Sequence, residues 1–376
     1  MKTLKELMKK ETVFCISFLL ALLSSLAVGP DAAYLAYPDY RTLALLFCLM
    51  IIVAGFQSLG VFVLLGQFLL KRAGSLRNLP IIMVLLCFFS SMIITNDVTL
   101  ITFVPFTILV YQMIGREELV LKLVVLETIA ANLGSMATPI GNPQNLYLYS
   151  ISGISMGEFA WAVLPYAAIS LVLLMAVLAF QKAEPLSGAM LGGGENAPGR
   201  KLLVELLPFL ILLVLCLLVV FRVLSYIPVL LVVAAVVFVV NRKLFRSVDY
   251  VLLLTFLCFF VFIGNVKRIP QISDFLIRLV NGRELLTGIL ASQVISNVPA
   301  AILLSGFTEN FPQLLTAVNL GGLGTLIASL ASLISFKFYA KEYPQKKGAF
   351  LKVFTLWNVS FLAALSVAAC ILGGVV

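Results

Sequence analysis

The chain is a succession of apolar runs of membrane-crossing length, and several of them are interrupted midway by Gly, Pro and Asn. A run of about 20 apolar residues reads as a membrane helix. A break inside such a run strands backbone N–H and C=O groups, so it survives only where protein or a water-filled cavity covers it. The first breaks read Ser91-Met-Ile-Ile-Thr95-Asn96-Asp97, followed by Asn132-Leu-Gly134-Ser-Met-Ala-Thr138-Pro139-Ile-Gly141-Asn142-Pro143-Gln144-Asn145. The second read Ser292-Gln-Val-Ile-Ser296-Asn297-Val298, followed by Asn319-Leu-Gly321-Gly322-Leu-Gly324-Thr325-Leu-Ile-Ala-Ser329-Leu-Ala-Ser332. Matching interruptions in two halves of a chain point to the binding site of a secondary transporter.

Composition supports a membrane setting. The 376 residues are 62% hydrophobic and 11% charged, against about 25% charged in soluble domains. The net charge of +9 does not indicate nucleic acid, because Lys and Arg gather in short segments between apolar runs, as cytoplasmic loops do. Cys15, Cys48, Cys87, Cys216, Cys258 and Cys370 lie within apolar runs without CxxC spacing. They read as small core residues, not as disulfides or metal ligands. The chain has no His, so proton coupling would need a carboxylate. Lys2, Lys5, Lys9 and Lys10 precede the run from Val13 to Val28, which reads as an uncleaved first membrane helix.

The expected fold is an all-α polytopic membrane protein with about nine full crossings, near 13–29, 43–70, 119–150, 158–180, 202–222, 226–240, 249–265, 314–340 and 350–374. The segments 79–113 and 285–308, each broken at an Asn motif, read as re-entrant hairpins. Residues 1–180 form a first repeat, with hairpin 79–113 and broken helix 119–150. Residues 181–201 are a Gly-rich cytoplasmic linker. The helix 202–222 inverts the orientation. Residues 223–376 form the second repeat, with hairpin 285–308 and broken helix 314–340. The N-terminus is expected inside and the C-terminus outside. Lys71, Arg72, Arg77, Arg116, Lys182, Arg242, Lys243, Arg246, Lys341 and Lys346 then face the cytoplasm, as the positive-inside bias requires. One outer segment disagrees: 266–284 carries Lys267, Arg268, Arg278 and Arg283. Ile272, Phe275, Leu276 and Leu279 would make it an amphipathic helix on the lipid surface. Its charges could instead form a vestibule that attracts anions.

The candidate site follows from these breaks. Asn96 and Asn297 occupy matching tips, where an amide can face a cation or an anion. Helix N-termini suit anions, and unwound carbonyls suit Na⁺. Asn, Ser and Thr also serve as simple caps. Gly134, Pro139, Gly141 and Pro143 preclude an uninterrupted helix. Aligning Asn132 with Asn319 pairs Gly134 with Gly321, Thr138 with Thr325, Asn142 with Ser329 and Asn145 with Ser332. The expected substrate- and ion-binding set is therefore Thr95, Asn96, Asp97, Thr138, Gly141, Asn142, Pro143, Gln144 and Asn145 from the first half. The second half adds Ser296, Asn297, Val298, Gly321, Gly322, Gly324, Thr325, Ser329 and Ser332. Asp97, opposite Val298, is the expected coupling carboxylate, since an intramembrane acid is a functional site by default. A bound Na⁺, the one cofactor considered, would lie near Asn96, Asp97, Gly134 and Gly141. Glu127 is expected to reach interfacial water, and Lys337 to extend its amine to the interface.

These motifs resemble the ion transporter superfamily that holds divalent-anion/sodium symporters, citrate carriers and arsenite permeases. Ile94-Thr95-Asn96-Asp97, Thr138-Pro139-Ile140-Gly141-Asn142-Pro143-Gln144-Asn145, Ser296-Asn297-Val298-Pro299 and Gly321-Gly322-Leu323-Gly324 carry the resemblance. It is closer to the arsenite-permease and citrate-carrier side, and to a short bacterial permease branch, than to the dicarboxylate symporters. Those carry Ser-Asn-Thr at both tips, where this chain has Asp97 and Val298. The resemblance implies a homodimer with a scaffold and a moving transport domain. The expected function is secondary transport of a small, anionic solute across the cell membrane, coupled to Na⁺ or H⁺. Arsenite or antimonite efflux and cation/proton antiport are the alternatives, and a passive channel is a further class. No nucleotide loop or nucleophile–base pair indicates an enzyme, and no nucleic-acid partner is expected.

Overall fold

The structure is a computed structural model and describes residues 11–62, 64, 77–179 and 200–373. The expected N-terminal lysines, the basic pair Lys71 and Arg72, and all but the last two residues of the linker lie outside these residues. The α-helices with bounds within the described residues are, in order, α1 Thr12–Val28, α2 Tyr40–Ser58, α3 Asn78–Ile94, α4 Asn96–Met113, α5 Val120–Ser135, α6 Pro143–Ser152, α7 Met156–Ala179, α8 Arg200–Val220, α9 Tyr226–Asn241, α10 Tyr250–Lys267, α11 Pro270–Val280, α12 Glu284–Ile295, α13 Asn297–Leu304, α14 Phe311–Leu320, α15 Leu330–Glu342 and α16 Lys347–Gly373. No β-strand occurs among the described residues. Helices are the economical form for such a chain, because each satisfies its own backbone in lipid.

By length and composition, five helical spans among the described residues could cross a membrane: Tyr40–Ser58, Met156–Ala179, Tyr226–Ser247, Tyr250–Lys267 and Pro344–Leu372. Val13–Val28, Asn78–Ile94, Val204–Val220 and Glu284–Ile295 are shorter apolar helices. The expected crossings 119–150 and 314–340 are each two helices with a break between. Within the expected crossing 43–70, α2 ends at Ser58 and Gly60 takes φ +69°; residues 65–70 lie outside the described ones.

The core sits around α5, which packs on α3, α4, α7, α15 and α16. Nearly every residue of α5 is buried, including both its apolar and its polar ones. The second-half helix α14 packs on α12, α13, α6 and α7. Leu26, Val239, Val204 and Leu356 show apolar surface outward on α1, α9, α8 and α16, as lipid-facing helices do.

Small residues set the closest approaches. A Cβ on Gly134 of α5 would run into the carbonyl of Phe88 and lie 2.7 Å from Ser91 Oγ on α3. A Cβ on Gly321 would lie 2.6 Å from Ser292 Oγ on α12. A glycine of the broken helix thus abuts a hairpin serine in both halves. Other local details also recur. Asp39 and Asp249 cap α2 and α10 by accepting from Arg41 N and Leu252 N. The next residues, Tyr40 and Tyr250, donate their hydroxyls to Leu35 O and Phe245 O at 2.8 and 2.9 Å.

The helix α11 is amphipathic, with Ile272, Phe275, Ile277 and Leu279 exposed and Val280 buried. Leu276 differs from the expected face, because it packs against the core. Arg268 is not a free vestibule charge. It pairs with Asp31 at 2.7 Å and donates to Tyr37 Oη at 3.0 Å. That guanidinium holds the Asp31 carboxyl below its ordinary value.

Gly134→Val should cost about 1–3 kcal/mol by overpacking against backbone that cannot yield. The melting temperature of the detergent-solubilised protein should fall by several degrees. Gly348→Ala, which meets open space, should not lower it.

Candidate functional site

Both hairpins turn at one residue. Thr95 separates α3 from α4 with φ 72° and ψ 153°, and Ser296 separates α12 from α13 with φ 73° and ψ 155°. This backbone region is nearly reserved for glycine, and holding another residue there costs on the order of 1–3 kcal/mol. The turn lies one residue before the expected tip, so Asn96 and Asn297 begin the return helices. Each donates its backbone N–H to the partner break: Asn96 N to Gly141 O at 3.2 Å and Asn297 N to Ala328 O at 2.9 Å. Gly141 and Ala328 are equivalent positions when Asn132 is aligned with Asn319.

The two broken helices cross-bond reciprocally. Asn132 donates to Ser332 Oγ at 3.2 Å and accepts from Ser329 Oγ at 3.0 Å. Asn319 donates to Asn145 Oδ1 at 2.6 Å and accepts from Asn142 Nδ2 at 3.0 Å. Each Asn therefore reaches the two positions at the start of the other half's second segment. All six side chains are buried, and buried polar groups need such partners. Asn96 joins them by donating to Asn132 Oδ1 at 3.0 Å.

The remaining expected residues are placed as follows. Asn142 caps α6 by accepting from Asn145 N at 2.9 Å, and Pro143 opens that helix. Asn145 donates to the carbonyls of Met136 and Thr138 at 3.1 and 3.0 Å, which holds the unwound turn. Thr138 donates to Met92 O at 2.5 Å. Gly322 has no room for a Cβ, with Asn297 Nδ2 at 2.8 Å, and Gly324 takes φ +100°. Thr325 is exposed, and its N–H donates to Gln293 Oε1 at 2.8 Å. Val298 is buried. Gln144 and Asn297 are buried, and their side-chain amides have no hydrogen-bond partner among the described residues.

The groups expected around Na⁺ come only partly together. Gly141 O is engaged by Asn96 N, Gly134 O by Ala137 N and Asn96 Oδ1 by Asp97 N. The half-buried Asp97 carboxylate is the member that engages no hydrogen-bond or ion-pair partner among the described residues. It lines a cavity of about 230 Å³ with Thr95, Asn142, Gln57, Ser247, Asp249 and apolar walls from α2 and α10.

Two residues escaped the sequence reading, and a third was read wrongly. Gln293 bridges the second tip to its broken helix, donating to Gly321 O and Leu323 O at 2.9 Å each; its polarity within an apolar run was the available signal. Asp249 stands at the start of the expected crossing 249–265, and only the fold brings it to the cavity. Glu127 contradicts the expectation of interfacial water. It is fully buried, and Thr107 donates to one oxygen at 2.5 Å. Thr308, which matches Thr107 when the tips are aligned, donates likewise to the buried Glu284 at 2.7 Å. The cause is the central position of α5, walled by other helices along its whole length. Lys337 is exposed, as expected.

A profile of the citrate transporter family matches residues 6–313. The chain belongs to the citrate transporter family. It is 33% identical over 300 residues to an uncharacterized transporter of Methanocaldococcus jannaschii, covering 80% of this chain and 81% of that one. It is 34% identical over 306 residues to the inner membrane protein YbiR of Escherichia coli, covering 80% of each. A segment of 177 residues, 46% of the chain, is 32% identical to 36% of the silicon efflux transporter LSI3 of Oryza sativa subsp. japonica. The resemblance read from the tips is thus borne out at family level. The chain is a multi-pass membrane transporter of the cell membrane.

Asn319→Ala should leave Asn142 and Asn145 short of partners, at about 1–3 kcal/mol, and lower the melting temperature. Glu127→Gln keeps an acceptor for Thr107 and should melt within a degree or two of the parent. Thermal unfolding followed by tryptophan fluorescence reads both.

Proposed function

We propose that this transporter is a secondary active carrier that moves a small anionic solute across the cytoplasmic membrane, coupled to Na⁺ or H⁺. The observation that carries this is the reciprocal lattice from Asn132 and Asn319 to Ser329, Ser332, Asn142 and Asn145. It ties together two breaks that neither half could satisfy alone. The lattice brings the N-termini of α4, α6 and α15 together, with α13 joined through Ala328. Helix N-termini carry partial positive charge and free N–H groups, which favours an anion without Lys or Arg. The unengaged amides of Gln144 and Asn297 supply donors that the solute can use. Asp97 supplies the coupling charge.

The matched turns, glycine contacts and caps support two inverted repeats, 1–180 and 223–376, with 202–222 reversing the second. On that plan the chain makes nine crossings, with the N-terminus inside and the hairpins opening to opposite faces. The outward apolar surface of α1 and α9 suits a homodimer scaffold. A second reading, efflux of a small hydroxylated inorganic solute, is favoured by the likeness to the silicon efflux transporter LSI3. The amide- and hydroxyl-rich lattice would suit such a solute as well.

Purified protein in proteoliposomes tests these readings. Under an imposed Na⁺ or H⁺ gradient, labelled citrate and smaller carboxylates should accumulate above equilibrium, whereas arsenite or silicic acid accumulating instead selects the second reading. Asp97→Asn should abolish gradient-driven accumulation and leave solute exchange measurable. Unchanged accumulation in that variant would reject the coupling role.

A further inference from the structure

The cavity beside the first tip has a direction. Asp97, Thr95 and Asn142 lie at its inner end and are buried or half-buried, whereas Ser247 and Asp249 are exposed. Its lining comes from α2, the α3–α4 tip, α6, the segment 247–252 and α15. The ionisable side chains on that lining are Asp97 and Asp249. Gln57 from α2, Asn142 before α6 and Ile334 from α15 carry no charge, and Arg246 and Lys337 on the flanking elements are exposed and outside the lining. The two carboxylates are of like charge and line the same cavity. Asp249 engages Leu252 N as the cap of α10 at 2.9 Å, which leaves its charge uncompensated by any cation among the described residues. The repeat-related positions offer no equivalent pair: Asp39 in the first half matches Asp249, but Val298 in the second half matches Asp97.

We infer that Asp249 is a positioning residue for ion coupling: its fixed negative charge at the cavity mouth draws a small monovalent cation, H⁺ or Na⁺, toward Asp97. The inference rests on the reading of Asp97 as the coupling group. A cavity lined by one sign of charge with low-dielectric walls concentrates the opposite ion. The same wall of negative charge disfavours an anionic solute, so ion and solute reach the tip by different faces. Asp249 and Asp97 sit on different elements, the cap of α10 and the tip of a hairpin. Movement of the hairpin against α10 therefore changes how strongly the tip feels the mouth.

The charge can be removed without removing the cap, because Asn and Ser cap helices about as well as Asp. In proteoliposomes of the full chain, Asp249→Asn and Asp249→Ser should raise the half-saturating concentration of the coupling cation about three- to tenfold, with the maximal rate within about twofold. One arm varies pH without Na⁺ and the other varies Na⁺ at fixed pH, so the arm that shifts names the ion. The difference from the parent should shrink in high choline chloride, since exposed charge is screened, and Asp249→Glu should restore parental ion dependence. Parental ion dependence of both neutral variants in both arms overturns the inference, and so does a shift that salt does not reduce or that Glu does not restore. If Asp97→Asn itself leaves coupling intact, the underlying reading of Asp97 fails instead, which separates the two failures.

Discussion

Four interruptions in apolar helices must have their backbone and side-chain polar groups satisfied away from water, and the rest of the architecture follows from that demand. An unpaired amide in hydrocarbon costs several kcal/mol, so the breaks exist only because they are brought to each other. Asn132 and Asn319 do this in mirror fashion, each completing the start of the opposite half's second segment. The backbone bonds of Asn96 to Gly141 and Asn297 to Ala328 then pin each hairpin to its own broken helix. Side-chain amides suit this task because one group both donates and accepts.

The likeness of the halves is local and geometric; their chemistry is unequal. Both tips bear the same strained turn, but Asn96 is engaged by Asn132 while Asn297 is not engaged by Asn319. Asp97 faces a cavity, whereas Val298 is packed. On the proposed coupled mechanism the carrier binds two different species, and unlike chemistry at two geometrically similar tips would supply them without altering the frame that aligns their helices.

Much of this was legible in the sequence because glycine, proline and asparagine are anomalous within apolar runs. The breaks near Asn96 and Asn297, the one marked by Gly134, Pro139, Gly141 and Pro143, and the pairing of Asn142 with Ser329 could all be written down from spacing, although the turns themselves fall at Thr95 and Ser296. What spacing could not supply was which side chains meet. Nothing in the sequence joins Asn132 to Ser332, 200 residues away. Glu127 looked accessible because it lies near a helix end in one dimension, yet burial is decided in three by the helices surrounding α5. Asp249 shows the converse, a helix cap whose second role depends on what lies across the cavity. The end of α2 at Ser58 escaped because Leu59 and Gly60 hardly disturb an apolar run.

The glycines described in the fold divide the molecule mechanically. Gly134 on Phe88 and Gly288 on Ala317 lock broken helix to hairpin, and Gly55 on Phe209 locks α2 to α8. These are seams without slack, where sliding would drive atoms into one another. Gly306 likewise lies close to α10: a Cβ there would sit 2.9 Å from both Ile263 Cγ2 and Lys267 Cε. Hairpin and broken helix are therefore packed without slack within each half.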